Sequence, residues 1–259
     1  MANKHGDFIW YELLTDDIDG ARAFYSAVVG WEIEAQPSGD MDYRMISASD
    51  GPVAGILPLT PEMKANDARP CWLGYVGVDD VDLSVTAIKA AGGSAHMEPW
   101  DVAGVGRMAF VTDPQSAMFY VMRGASDETS LSFAYDKPRM GHCAWNELST
   151  TDTAAAVDFY GRQFGWVQDG DMDMGPMGKY LFLRHGEGMI GAIMPKMPEM
   201  PVSAWTYYFR VPDIDAAVAT IKEHGGTILQ EPIEIPGGDY SMMGLDPQGA
   251  AFALVGARQ

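Results

Sequence analysis

Cysteine and positive charge are both scarce in this chain, and long apolar runs are missing. Among 259 residues only two are cysteine, Cys71 and Cys143, and each lies in an apolar, strand-like stretch. Two such residues predict buried thiols rather than a disulfide framework or a thiolate metal centre. Lys and Arg number 17 against 36 Asp and Glu, a formal net charge of -19. Nucleic-acid affinity comes mostly from neutralising phosphates with Lys and Arg, so no nucleic-acid partner is expected. The acidity reads first as solubility, with attraction of a cationic ligand as the sharper alternative. No apolar stretch approaches the ~20 residues that a membrane-spanning helix needs. The opening Met-Ala-Asn-Lys-His-Gly-Asp lacks the basic-then-apolar order of a signal peptide. A cytoplasmic protein with no membrane partner is expected.

What is present is a duplication. Hydrophobic residues make up 47% and charged residues 20%, the balance of a packed globular chain. Setting GDFIWYELLTDDIDGARAFYSAVVGW beside GHCAWNELSTTDTAAAVDFYGRQFGW places Trp10, Glu12, Leu13, Thr15, Phe24, Tyr25, Gly30 and Trp31 on Trp145, Glu147, Leu148, Thr150, Phe159, Tyr160, Gly165 and Trp166 at one constant offset. Further on, Trp72, Tyr75 and Asp80 answer to Trp205, Tyr208 and Asp213, and Asp113-Pro114-Gln115 answers to Asp246-Pro247-Gln248. Shifts are confined to polar or Gly/Pro-rich stretches, which indicates duplication of a whole folding unit. The boundaries read as a first domain over 1–123, a linker over 124–140 rich in Ser, Asp and Lys, and a second domain over 141–259.

Each unit reads as strand, helix and three strands, repeated once. Phe8 to Leu14 is strand-like and meets the capping cluster Thr15-Asp16-Asp17. Ala21, Phe24, Tyr25 and Val28 follow at helical spacing until Gly30. Trp31 to Ala35, Tyr43 to Ala48 and Val53 to Leu59 read as strands. The second module starts at Trp72 to Val78, continues with a helix over Asp80 to Ala91, and ends with strands near Ser94 to Trp100, Arg107 to Thr112 and Ala117 to Arg123. Asp169, Asp171 and Asp173 imitate the start of a calcium loop, but Met174 and Tyr180 stand where its Gly and closing Glu belong. With Gly39-Asp40-Met41-Asp42 in the first unit, this stretch is read as a hairpin connection.

A strand, an Asp-led helix containing Phe-Tyr and closing on Gly, then three strands ending after Asp-Pro, resembles the vicinal oxygen chelate superfamily. That superfamily includes glyoxalase I, bleomycin-resistance proteins, fosfomycin-modifying enzymes and extradiol dioxygenases. The starts WYEL and WNEL look most like its two-domain group labelled glyoxalase-like or hydroxylase. The resemblance implies an α+β fold of four βαβββ modules in two tandem glyoxalase-like domains, with curved mixed β-sheets around cavities and helices outside.

It also implies where a metal would be held. Metal-using members carry a His or similar ligand on a module's first strand, seven residues before the helix-opening Asp, and a Glu on the last strand. Those first-strand positions hold Trp10, Trp145, Leu73 and Thr206 here, and the Glu positions hold Tyr120 and Ala253. Zinc, iron or nickel needs imidazole, thiolate or carboxylate donors. No cofactor is therefore predicted, although an unusual arrangement around a divalent metal stays open.

The strands do offer a repeated Trp-x-Glu, and residues two apart share a strand face. Trp10 with Glu12 and Trp145 with Glu147 are candidate ligand-binding residues, joined by Tyr75, Tyr120 and Tyr208. An aromatic wall with one carboxylate suits a flat, cationic or hydrogen-bond-donating ligand. Against this stands core packing for the tryptophans and a backbone or Arg partner for the glutamates. Glu12 and Glu147 are also the candidates for a catalytic base. Arg107 is a candidate ligand contact in the first unit, and His142, whose counterpart is Asp7, is the histidine set apart from His5, His96, His185 and His224, which read as structural. Methionine, 18 in all, reads as flexible packing before soft-metal binding.

Three functions follow as alternatives. The chain binds a small organic molecule in aromatic cavities without the usual divalent metal; it is a lyase, isomerase or oxygenase of the glyoxalase and dioxygenase kind; or it sequesters a cationic drug in the bleomycin-resistance manner. A monomer or a homodimer is expected.

Overall fold

The computed structural model describes residues 3–37, 41–135 and 137–259. The first half runs β1 (Phe8–Thr15), α1 (Ile18–Val28), β2 (Glu32–Ile33), β3 (Arg44–Ala48), β4 (Gly51–Pro58), α2 (Pro61–Ala65), β5 (Cys71–Gly77), α3 (Val81–Ala90), β6 (Ser94–Val102), β7 (Gly106–Thr112) and β8 (Met118–Gly124). The second runs β9 (Cys143–Thr150), α4 (Thr153–Phe164), β10 (Val167–Asp173), a 3-10 turn over Gly175–Met177, β11 (Lys179–His185), β12 (Gly188–Pro195), β13 (Ala204–Val211), α5 (Ile214–Glu223), β14 (Thr227–Glu234), β15 (Tyr240–Leu245) and β16 (Ala251–Gly256). Two eight-stranded mixed sheets result, in the orders β2-β3-β4-β1-β5-β8-β7-β6 and β10-β11-β12-β9-β13-β16-β15-β14. This is the α+β arrangement of four βαβββ modules, with one short additional helix, α2.

The helix starts follow directly from single residues. Asp17, Asp80, Asp152 and Asp213 each occupy the N-cap, and each side chain accepts from a backbone N–H of the first turn, satisfying donors that the helix itself leaves unpaired. Gly165 closes α4 with φ 70, a left-handed conformation that a side chain resists. Along α1, Ala21, Phe24, Tyr25 and Val28 are buried, the face its spacing predicts. Among the described residues, no helix is long and apolar enough to cross a membrane.

Two expectations need correcting. Strand β2 holds only Glu32 and Ile33 because Trp31 turns into the core, where its Nε1 donates to the Gly141 carbonyl at 2.7 Å. Asp169, Asp171 and Asp173 are not a hairpin connection but part of β10, which pairs antiparallel with β11. Salt bridges from Arg184 to Asp169 and from Lys179 to Asp171 offset the carboxylates that made this segment look like a loop. Of the first-unit counterpart, Gly39 and Asp40 lie outside the described residues. Cys143 is buried and Cys71 half-buried.

By proximity the chain divides into two compact units, Met1–Trp10 with Gly74–Ser130 and Trp145–Thr206, and Tyr11–Leu73 with Leu131–Ala144 and Tyr207–Gln259. Each unit thus takes segments from both halves of the sequence, and each holds one version of the same buried network. In the first, Trp205 Nε1 donates to the Tyr160 hydroxyl at 3.1 Å and that hydroxyl donates to Asp113 at 3.0 Å. The second Asp113 oxygen accepts the backbone N–H groups of Gln115 and Ala117. In the other unit Trp72, Tyr25 and Asp246 repeat the arrangement at 2.9 and 3.0 Å, with Gln248 and Ala250 as the backbone donors. The Phe-Tyr of each helix and the Asp-Pro-Gln of each turn are therefore two sides of one contact, and the helix of one half binds the turn of the other. Burial holds both aspartates above the ordinary carboxylate range.

Candidate functional site

On β9, Trp145 is the one residue that is not fully buried. Alternation places Glu147 on the same face of the strand. Across the parallel register Glu147 pairs with Ala192 of β12, and Ala192 pairs with Phe182 of β11. Tyr180, two residues before Phe182, joins that face and itself pairs with Met172 of β10. Three strands thus contribute Trp, Tyr, Phe and Met to the face that holds this carboxylate, with Ala192 of a fourth between them.

Within this face the polar atoms form a directed run. Trp145 Nε1 donates to the Tyr180 hydroxyl at 2.7 Å, and the hydroxyl donates to Glu147 Oε2 at 2.7 Å. The second bond ends on a carboxylate and belongs to the stronger, charge-assisted kind. Phe182 stands edge-on to both rings, 6.3 Å from Trp145 and 5.6 Å from Tyr180. On the opposite face Asn146 Nδ2 donates to the Ile190 carbonyl at 2.7 Å and ties β9 to β12. The arrangement can stack a flat ring and offer a carboxylate to a donor on its edge.

The first half carries a related but distinct version. Glu12 is buried and pairs with Gly55 of β4, and Trp10 is again the only residue of its strand that is not fully buried. The Tyr43 hydroxyl lies where a Cβ at Gly55 would be, so Tyr43 reaches down onto the sheet beside Glu12's strand partner. Tyr43 and Tyr180 are counterparts in the duplication. Burial, and secondarily the charge of Glu12, pushes the Cys71 thiol up to about 12, which makes it a packing group and not a nucleophile at neutral pH.

The remaining candidates separate. Tyr75 and Tyr120 are strand partners on β5 and β8 and stack at 4.3 Å and 12°. Phe110 adds to the stack at 4.8 Å from Tyr120. In the second half Tyr208 pairs instead with Ala253, so no such stack forms there. Arg107 is held by Asp82 through two nitrogens and by Asp101 through a third, in an ion-pair cluster near the surface. The buried His142 ring lies between the Leu131 carbonyl at 2.5 Å and Asp50 at 2.7 Å, and Asp50 also pairs with Arg139. Sequence reasoning missed Tyr180, Phe182 and Tyr43. The signal was there in Tyr43 and Tyr180, which recur at the offset that relates Pro58 to Pro195.

The positions that the resemblance assigns to metal ligands hold Trp10, Leu73 and Tyr120 in one half of the sequence and Trp145, Thr206 and Ala253 in the other. The Tyr120 ring lies flat on Tyr75, the Trp145 nitrogen is a donor already directed at Tyr180, and Leu and Ala have no lone pair to give. Among the described residues no group of three or more His, Cys, Asp or Glu is placed to hold a metal. None of these positions carries an imidazole, a thiolate or a carboxylate.

Known proteins with the same architecture bear on this geometry. The model of the Glyoxalase/Bleomycin resistance protein/Dioxygenase superfamily matches residues 8–119 and again residues 139–254. The chain is 32% identical over 256 residues to "Putative glyoxylase CFP32" of Mycobacterium tuberculosis, covering 97% of this chain and 95% of the relative. It is 30% identical over 273 residues to "Anthracycline biosynthesis protein DnrV" of Streptomyces peucetius, covering 96% and 93%. Its fold is similar to that of the Mn(II)-bound glyoxalase from Novosphingobium aromaticivorans, with a TM-score of 0.65 at 17% identity over 100% of this chain and 84% of that one. The family match over both halves, on two sheets of one strand order, means that the chain belongs to the glyoxalase/bleomycin resistance protein/dioxygenase superfamily.

Proposed function

We propose that the chain is a glyoxalase-like binding protein that holds a flat organic molecule against Trp145, Tyr180 and Phe182, anchors it on Glu147 and works without the usual divalent metal. The observation that carries this reading is the hydrogen-bonded run from Trp145 through Tyr180 to Glu147, because it fixes one carboxylate amid aromatic rings. The name of the anthracycline-biosynthesis relative supports a ligand with fused or substituted rings. The ligand's N–H or O–H edge meets Glu147 and its ring plane meets the indole. A cationic drug is one member of that class, and protection of cells against such a drug tests for it.

The Tyr180–Glu147 bond also favours a second reading, an enzyme of the same superfamily in which Glu147 takes a proton from the bound molecule and Tyr180 stabilises the carboxylate. The relative named as a glyoxylase supports it. Turnover of a ketoaldehyde–thiol adduct that disappears in Glu147→Gln is its expected sign.

Native mass spectrometry of the purified chain tests the binding reading, with an organic mass retained by the wild type as the expected outcome. Glu147→Gln and Trp145→Ala should each weaken binding about tenfold or more, the loss of one charge-assisted bond or one aromatic wall. Unchanged affinity in both would remove this face from the function, and a stoichiometric transition metal would overturn the metal-free reading. The same spectrum distinguishes monomer from homodimer. The tandem domains 1–123 and 141–259, a cytoplasmic location and the lack of a nucleic-acid partner belong to this proposal.

A further inference from the structure

The faces that carry Glu12 and Glu147 share a register and differ in their floor. In the second half Glu147 stands beside Ala192 of β12, and Ala192 beside Phe182 of β11. In the first half Glu12 stands beside Gly55 of β4, and Gly55 beside Met45 of β3. Glycine weakens the interior of a strand, and its presence there often marks a close approach by another group. That group is Tyr43, since a Cβ at Gly55 would overlap its hydroxyl, Cζ and Cε1. The phenol of Tyr43 therefore lies on the sheet in the space that the Ala192 methyl group fills in the other version.

Tyr180 is kept out of the equivalent place by that methyl group and is held elsewhere. It sits inside β11 with Met172 of β10 as its ladder partner, and its hydroxyl bridges Trp145 and Glu147. Tyr43 instead precedes β3 by one residue, in a turn closed by its own N–H on the Met41 carbonyl at 2.7 Å. A side chain carried on a turn can change place without breaking strand pairing. The same residue type thus frames one face and covers the floor of the other.

From this we infer that Tyr43 is a built-in plug of the first-half face: its ring takes the place beside Glu12 that a flat ligand would fill, and a ligand enters only as Tyr43 swings out. The residue under the ring, glycine at 55 and alanine at 192, makes one face gated and the other open. The inference rests on the reading of the Glu147 face as a ligand site. A seat that the chain itself fills ~90% of the time raises a ligand's apparent dissociation constant about tenfold. The two halves should therefore bind one flat molecule with affinities at least ~10-fold apart, the first half being the weaker.

The test is native mass spectrometry of the full chain titrated with a dihydroxyanthraquinone, a flat probe with O–H groups on its edge. Two variants act on the plug in different ways: Tyr43→Ala removes the ring, and Gly55→Ala keeps the ring but denies it the seat. Each should strengthen the weaker binding event about tenfold or more, or bring it into view where the wild type shows only one. That event should be lost in Glu12→Gln, while the stronger one, lost in Glu147→Gln, keeps its affinity in both plug variants. Structural damage lowers affinity, so the expected gain distinguishes an opened seat from a disturbed fold. A weaker event that is unmoved or weakened in both variants, or equal affinities in the wild type, would overturn the plug and leave the Glu147 reading standing. No probe bound by the wild type or by either variant would overturn both.

Discussion

Tyr25 and Tyr160 each direct a hydroxyl proton at a buried aspartate, and the tryptophan behind each hydroxyl leaves it no freedom to turn away. Tyr160→Phe removes the donor and leaves the carboxylate with its two backbone partners. A loss of about 1–3 kcal/mol in urea unfolding is expected, and a change below ~0.5 kcal/mol would show that burial of the ring, not the bond, matters. The aspartates respond to pH in opposite ways. Asp113 and Asp246 lie above their unfolded values through burial, so the stability they contribute is complete below an unfolded value of ~3.9 and is lost as pH rises through the native one. Asp50 lies lower, chiefly because His142 donates to it and then because of Arg139, so its contribution is present above ~3.9 and lost as pH falls through the native value. Urea unfolding of Asp50→Asn should therefore fall short of the wild type at pH 7, with the gap narrowing at pH 3. A gap of equal size at both would refute the pH linkage. At this scale the capping aspartates were legible, since a cap needs only its own first turn. The partner of Tyr25, 221 residues away, was not, since no local pattern encodes it.

Glycine and register decide how the strands set out the site. At Gly191 a Cβ would collide with the backbone carbonyl of Asn146 on the neighbouring strand, and backbone cannot swing aside. Gly191→Ala should destabilise by about 2–3 kcal/mol by forcing β12 from β9, read as a fall in melting temperature together with weaker ligand binding. Gly55→Ala meets only the end of the Tyr43 side chain. That ring can move, so a smaller stability loss with a changed near-ultraviolet circular dichroism signal is expected, and an unchanged signal would argue against the placement of Tyr43. The helices and most strands were readable from their periods of 3.6 and 2. Strand β10 was not, because its seven residues are all exposed and show no alternation; it exists through pairing with β11.

Across the whole molecule, the same strand order in both sheets and the recurrence of Trp-x-Glu predict up to two bound molecules per chain. Trp10→Ala and Trp145→Ala should each remove one in native mass spectra, and a single stoichiometry unaffected by Trp10→Ala would assign binding to the second half. The halves differ where Tyr120 stacks on Tyr75 and Ala253 faces Tyr208, so their ligands need not be the same. The sequence by itself determined the duplication, the βαβββ order, the helix starts and the lack of metal-binding side chains at the family's positions, because each depends on residue type and short-range spacing. Only the tertiary structure decided that Tyr180 bridges Trp145 and Glu147 from 33 residues beyond the latter, and that each Phe-Tyr helix binds the other half's Asp-Pro turn. Both depend on strand register and on which buried donor meets which buried acceptor, and these are settled only when the chain packs.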